Sequence, residues 1–577
     1  MGGSRGDDTE QRVQYPSSVP PPGAAEPSPG PAERLLFALL ILLHLLPLWL
    51  SPSFPSQDGP SHQGVAAILR HLNGPEGAPL RPLFVEHRGA LPNGFVFWLL
   101  AKVFGFASVA LAEKLLLALY VVLLPLSLRY AVASIEPRAV FLSWLAFPFV
   151  YNFLLHMGFY NFCYSLAAFL FTIGFAWRMR ERSALARTAG LALLVTWVYF
   201  CHPVTLVVTV ATLGALAGWG LVLEQRGKAR WSAGLGPAAA RRLLLPLLAA
   251  LPALLLIGSF VTARRGARVD WLPLGVRLKH LAGLYSLASL DRRTAWLAAG
   301  CALLILALAA LFLSRRWRPD GDRHGVAALT EHDGFLAALA VVLAAYFLAP
   351  SQMSGGAFIV HRLNLFPYLI LILWLAASPH PRRRRIAIQA AAAGLALGFL
   401  ALHGWTYRRL APGLAEIEAA GRAVEPGRTL LFLSYAHQGD DGGGRPQAFR
   451  TQPFVHAGSA VAAARGAVDL ALYEANEDYF PIAYRPERNP YTHLSTAPLG
   501  IETEPPQVDL AGYTRRTGEP IDYVLLWGWR DARLSEPAVA AVRRQLDTAC
   551  REIERSLSGR VRLYRCAFPG SAVAVRE

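Results

Sequence analysis

Long apolar runs recur along this chain, each close to the length a helix needs to cross a bilayer, and they narrow its possible folds more than any other feature. A hydrocarbon core takes about 20 residues of α-helix to span. Inside it every backbone polar group must be paired within the segment, so a helix is the natural solution. The runs at 35–50, 110–128, 243–261 and 296–313 are the clearest. Taken together, the runs predict spans at 33–50, 111–129, 138–156, 160–177, 186–200, 204–223, 243–262, 294–314, 333–349, 364–378 and 385–404. Only 16% of the 577 residues are charged and 54% are hydrophobic, against about 25% charged in soluble domains. The expected fold is a multi-pass α-helical membrane protein of about eleven transmembrane helices followed by a soluble C-terminal α/β domain.

A net charge of +17 invites a nucleic-acid reading. The basic clusters lack interleaved aromatic platforms and lie in short turns between apolar runs, so no nucleic-acid partner is expected. They serve topology instead. Arg178/Arg180/Arg182/Arg187, Arg226/Lys228/Arg230/Arg241/Arg242, Arg315/Arg316/Arg318/Arg323 and 382–385 all fall on the cytoplasmic side if the N-terminus is inside. An odd number of spans then puts 405–577 outside. The apolar stretch 94–107 is left out of the spans, because counting it would move every later cluster across the membrane. It is expected to lie on the membrane surface. Residues 1–32, rich in Pro, Gly, Ser and Glu, read as a disordered cytoplasmic tail. The first apolar run starts too late and lacks a small-residue cleavage pattern, so it reads as a signal anchor. Alanine and arginine usage points to a bacterial source and hence to the inner membrane, with the C-terminal domain periplasmic.

Three organisational units follow: the tail 1–32, a membrane domain 33–404 carrying a first outer loop 51–110, and the outer domain 405–577. In the last, 428–434 and 522–527 have the pattern of buried strands, 535–557 has helical spacing and 561–568 reads as a further strand. Cys550 and Cys566 are the cysteines outside the spans. A bridge between them and a pair of buried free thiols are both compatible with an oxidising compartment. His437, His456, Asp478 and His493 are too scattered in sequence to define a site, and the histidines read mostly as surface residues.

The loop after the first span opens Phe54-Pro55-Ser56-Gln57-Asp58-Gly59-Pro60-Ser61-His62 and continues into an apolar-patterned helix. Gly59 and Pro60 are helix-start residues, which places Asp58 and His62 near the helix N-terminus on one side. The partial positive charge there favours an ionised Asp58 and attracts anions. A surface capping role for Asp58 explains the same local pattern.

The order of features resembles the type C glycosyltransferases, most closely the protein O-mannosyltransferase and aminoarabinose transferase branch. The similarity rests on a first span, an outer loop opening with an acidic residue, Leu91-Pro92-Asn93-Gly94-Phe95-Val96-Phe97-Trp98-Leu99-Leu100, Pro148 near the end of the third span and a polar residue, Asn161, opening the fourth. It covers residues 33–177 well and the remainder in general architecture. The resemblance implies an inverting enzyme that moves a sugar from a polyprenyl-phosphate carrier to an acceptor at the outer membrane face. The resemblance leaves the acceptor open among protein, lipid and polysaccharide. Asp58 is then the base. The family often has a second acid next to it; here Gly59 stands there, leaving Glu86 or His62 to share the role. One carboxylate and one histidine make a poor metal set, so neither a metal nor another cofactor is expected.

Developing charge on the leaving phosphate calls for fixed cations. The predicted outer loop 263–293 carries Arg264, Arg265, Arg268, Arg277, Lys279, Arg292 and Arg293, against the usual charge bias, and His361-Arg362 stands just before a span. Arg264, Arg265, Arg268, His361 and Arg362 are the candidate carrier-phosphate ligands; contact with anionic headgroups explains the loop cations equally well. His156, Tyr160, Asn161 and His202 mark the outer ends of spans and suggest a polar cavity. A transporter or a noncatalytic assembly protein with a partner-binding outer domain is the competing class. The absence of an internal repeat in the sequence speaks against the transporter.

Overall fold

The computed structural model describes residues 30–226, 237–262, 269–316, 329–353, 356–378 and 380–569. The tail 1–29 and Lys228, Arg230, Arg264, Arg265, Arg268, Arg318 and Arg323 lie outside the described residues. Ten helical segments are long and apolar enough to cross a membrane: Pro31–Leu50, Val109–Ile135, Pro137–His156, Tyr160–Arg178, Ala184–Cys201, Pro203–Gln225, Leu243–Phe260, Thr294–Arg316, Glu331–Leu348 and Arg382–Gly421. Ile359–Leu375 is a shorter apolar helical segment, so each predicted span has a helical counterpart. The fold is compatible with a multi-pass membrane protein bearing a sheet-containing C-terminal region.

The segment Pro137–His156 is buried within the bundle from 139 to 156. It is apolar on all sides, as a central helix must be. Its backbone is nevertheless irregular: a 3₁₀ stretch Pro137–Ala146, then Phe147–Val150 and Phe153–His156. Asn152 restarts the helix by accepting from the Leu155 amide at 3.1 Å. Such breaks are tolerated at membrane depth where protein, not lipid, surrounds them.

The stretch 94–107 does not form a spanning helix. Phe95–Trp98 and the π-helical turn Leu99–Val103 make a helix of nine residues, about half the length needed. It is held at both ends. Asn161 accepts from the Val96 amide at 2.9 Å and donates to the Asn93 carbonyl at 2.6 Å. Arg70 donates to the carbonyls of Leu100, Phe104 and Ala107, where a helix end leaves acceptors unpaired. Trp98 and Phe106 remain exposed on its outer side.

The last span runs on as one helix from Arg382 to Gly421, past the expected end at 404, and carries Pro412 within it. Its far end packs on the C-terminal sheet. At Gly413 a Cβ would lie 2.6 Å from the Trp527 ring, so only glycine allows that approach. The sheet orders β3 (Val468–Asp469), β2 (Thr429–Ser434), β5 (Tyr523–Trp527), β7 (Val561–Cys566) and β6 (Cys550–Arg555). β3, β2 and β5 run parallel, β7 is antiparallel to β5, and β6 is antiparallel to β7. β2 and β5 are continuous buried runs, as strands covered on both faces should be.

Helical spacing over 535–557 overreached. The helix is Pro537–Ala549, and the chain then turns into β6 because Cys550 pairs with Cys566 across the β6–β7 ladder and is joined to it by a disulfide. The bridge resolves the alternatives that the sequence left open. Closing a loop of this size by a disulfide restricts the unfolded chain by about 3 kcal/mol. Cys550→Ser/Cys566→Ser is therefore expected to lower the unfolding midpoint of the full-length protein, read by thermal unfolding in detergent. An unchanged midpoint would mean that the hairpin does not limit stability.

The first loop and the C-terminal region are not separate. β1 (Phe84–Glu86) pairs antiparallel with β4 (Ile482–Tyr484), matching Phe84 to Tyr484 and Glu86 to Ile482. Val65 and Ile68 of the loop helix Gly59–His71 share a core with Leu472, Phe480 and Ile482. Thus residues 400 positions apart build one unit beside the bundle, and the candidate site forms along that seam.

Candidate functional site

Asp58 is the residue at which this seam closes. It precedes the loop helix at the capping position, yet its side chain makes no capping hydrogen bond. Its carboxylate turns inward and is 4% exposed, so the surface-cap reading does not hold. His456 Nε2 lies 3.9 Å from Oδ1, and the Tyr473 hydroxyl is beside it. Burial raises its pKa to about 7, with the Glu474 carboxyl adding to the rise and His62 and Tyr473 opposing it. The helix end was expected to favour the ionised form; desolvation outweighs that partial charge.

His62 is one turn along. Its Nε2–H donates to the Gly158 carbonyl at 2.7 Å, which leaves Nδ1 facing Glu474 Oε1 at 2.9 Å. Burial favours the neutral form of both groups, raising Glu474 well above the usual carboxylate range and lowering His62. Ser61 donates to the other oxygen of Glu474. The pair positions the loop helix and sits behind Asp58.

A second carboxylate does stand at the helix start, but it is Glu113 from the second span and not Glu86. Glu113 accepts from Tyr160 Oη at 2.7 Å and from Gln63 Nε2 at 2.7 Å, while Ser56 Oγ and Tyr160 Oη are 2.7 Å apart. Gly59 makes the room. A Cβ there would come within 2.4 Å of Ser56 Oγ, Glu113 Oε1 and Tyr160 Oη alike. Glu86, by contrast, accepts from Asn73 at 2.6 Å and lies near the exposed Arg88. It sits on β1 opposite Ile482, with Asn73 and Arg88 as its polar partners.

Three separate stretches bring two arginines and two neutral histidines to the site. Arg362, in the short helix Ile359–Leu363, is 9% exposed and near enough to Asp58 for the two to interact electrostatically. One guanidinium nitrogen donates to the Ala357 carbonyl, the Phe159 ring lies 4.4 Å from the cation, and Nε has no partner. Arg450, from the C-terminal region, donates to Tyr285 and Ala288 carbonyls at 2.6 and 2.7 Å and stacks on Phe153. His280 and His361 rings are 5.1 Å apart, each with an unpartnered buried Nδ1. Burial, then the nearby Arg450, lowers His280 to about 4. Among the described residues neither arginine forms a close ion pair with a carboxylate; Asp58 acts on Arg362 only through its field. Buried cations left unmatched by the protein favour an anion.

Of the other expected residues, His156 is fully buried between Tyr407 Oη and Ser289 Oγ, both at 2.7 Å. His202 accepts from the Val204 amide, Tyr160 serves Glu113 and Asn161 anchors the nine-residue helix. These four are buried groups with hydrogen-bond partners inside the protein. Arg277 is likewise structural, donating to the Leu272, Tyr346 and Phe347 carbonyls. Arg264, Arg265 and Arg268 fall outside the described residues.

Sequence reasoning missed Glu113, Tyr473, Glu474, His456, His280 and Arg450. Glu113 had a signal: an acid near the outer end of an otherwise apolar run is a functional candidate by default. The histidines of the C-terminal region were expected at the surface, but His437 and His456 are buried.

The class of protein that this fold and site define is a helical bundle with membrane-spanning lengths, capped by a sheet-containing unit that buries an acid next to unmatched cations. No protein-family model matches the sequence, and no curated protein matches it.

Proposed function

We propose that the protein is a membrane glycosyltransferase of the type C kind, moving a sugar from a polyprenyl-phosphate carrier to an acceptor at the outer face of a bacterial inner membrane. The observation that carries it is a buried acid, Asp58, with its pKa lifted to about 7, within electrostatic reach of Arg362, a buried cation that forms no close ion pair among the described residues. An acid poised there can hold a proton near neutral pH, as a general base requires. In the reaction an acceptor hydroxyl oxygen attacks the anomeric carbon and its proton passes to Asp58. The bond from that carbon to the phosphate oxygen breaks, its electron pair stays on the phosphate, and configuration inverts. Arg362 and His361 meet the growing negative charge, joined by Arg450 and His280.

A second feature supports a lipid-borne donor. A cavity of about 760 Å³ runs between the nine-residue helix and the span Ala184–Cys201, lined by Phe95, Trp98, Leu193 and Trp197 with Lys102 among them. Its walls suit an isoprenoid tail and its lysine a headgroup.

The test is binding and turnover of a labelled polyprenyl-phosphate sugar by the full-length protein in nanodiscs. Saturable binding is expected. Arg362→Ala should weaken it roughly 10- to 100-fold, the range for losing a charge-assisted hydrogen bond. If neither protein binds any carrier across a panel of chain lengths and sugars, the transferase reading fails and transport or partner binding takes its place.

A further inference from the structure

A second cavity lies on the other side of the loop helix, and its chemistry is opposite to that of the cationic cluster. It measures about 260 Å³. Gly64 and Ala67 of the loop helix form one wall, and Ala462 and Ala463 of the helix Ala457–Arg465 form the other. Small side chains on both walls leave a slot that admits a slim chain and little else. At its mouth stand His71 and Glu76, 2.5 Å apart and about half and three-quarters exposed.

Asp469 closes the inner end. It ends the edge strand β3 and is 3% exposed. Oδ1 accepts from the Ala471 amide at 2.8 Å, which accounts for one oxygen. Oδ2 has no hydrogen-bond partner; it lies 3.9 Å from where a Gly64 Cβ would be, on the wall of the slot. The Ser459 hydroxyl stands beside it and favours its charged form, although neither Ser459 Oγ nor Oδ2 completes a well-formed hydrogen bond. A buried carboxylate oxygen left unpaired costs free energy, and a turn at 469–471 needs only the other oxygen.

From these features we infer that the slot is a binding site for a primary ammonium on an unbranched aliphatic stem, with the ammonium on Asp469 Oδ2 and the methylene chain between the glycine and alanine walls. The acid at the mouth suits a second amine or a backbone amide of the ligand. A free diamine and the lysine side chain of a peptide share this chemistry. The slot is separate from Asp58, yet Asp469 acts electrostatically on Glu474, which contacts His62. Occupancy would therefore be felt on the helix that carries Asp58.

Titration calorimetry on the full-length protein in neutral detergent tests this, using 1,5-diaminopentane and N-acetyl-lysine amide as probes and 1-pentanol as the uncharged control. Saturable one-to-one binding is expected for at least one amine and none for the alcohol. Binding of the diamine alone assigns a free amine, and of the lysine amide alone a peptide. Asp469→Asn should weaken it about 10- to 100-fold by removing the charged acceptor. Ala463→Leu, on the partly exposed wall, should do so by filling the slot, and decides the matter if Asp469→Asn does not fold. Binding of pentanol as tight as that of the amines, no saturable binding of either amine, or undiminished binding by both variants would overturn the inference.

Discussion

Asp58→Asn is expected to lower turnover of a polyprenyl-phosphate sugar by roughly 10²- to 10⁴-fold while leaving carrier binding within a few fold. The amide keeps the shape of the side chain but cannot accept the acceptor's proton. The pH profile supplies an independent check. A base must be ionised to act, and burial lifts the Asp58 pKa to about 7. Wild-type turnover should thus fall as pH drops through about 7, close to tenfold per unit below it, and the residual activity of the variant should lack that limb. Stability should move the other way. A carboxyl whose folded pKa lies above the unfolded value contributes stability that is fully present below about pH 4 and is lost as pH rises towards 7. Above pH 7 the wild type carries the full cost of a buried charge, on the order of a few kcal/mol. Asp58→Asn should therefore melt higher than wild type at pH 8 and nearly with it at pH 4. A merely structural Asp58 would give a variant that melts lower at every pH.

Gly59→Ala is expected to be strongly destabilising, and Glu113→Ala to relieve part of that cost. The added methyl would lie 2.2–2.4 Å from three side-chain oxygens, all held by hydrogen bonds among Ser56, Tyr160 and Glu113. Overpacking of this sort costs about 1–3 kcal/mol. Glu113→Ala alone leaves Tyr160 Oη and Gln63 Nε2 without their acceptor in a buried place, at about 1–3 kcal/mol. In the double variant the methyl enters space vacated by the carboxylate. The two losses should then sum to at least about 1 kcal/mol more than the double variant shows, measured by a thermal or denaturant cycle. Strict additivity would mean that Glu113 is not what confines position 59.

The helices long and apolar enough to cross a membrane were legible because their signal is local: an apolar run of sufficient length must pair its own backbone. Leaving 94–107 out of the spans rested on charge placement, and the nine-residue helix found there agrees. The helix over 535–557 was overextended because its pattern continues past Ala549, whereas the pairing of Cys550 with Cys566, a tertiary fact, ends it. Glu86 was a candidate partner for Asp58 because both share one loop; in the fold it pairs with Ile482 on β1 and accepts from Asn73. The acid beside Gly59 came instead from the second span, where a single glutamate among leucines and alanines had been passed over.

The sequence by itself determined that this chain forms long apolar helices, that an acid opens the first loop at a helix start, and that His361 and Arg362 stand just before the apolar run 364–378. Those follow from periodicity and from which side chains lipid and water each tolerate. Only the tertiary structure decided which groups share the interior with Asp58. His456, Tyr473 and Glu474 lie about 400 residues further along and reach it because β1 pairs with β4 and the loop helix shares its core with the C-terminal unit. Burial, and with it the raised pKa of Asp58, is a property of that assembled seam: it depends on what excludes water from the carboxylate, which no local run of residues specifies.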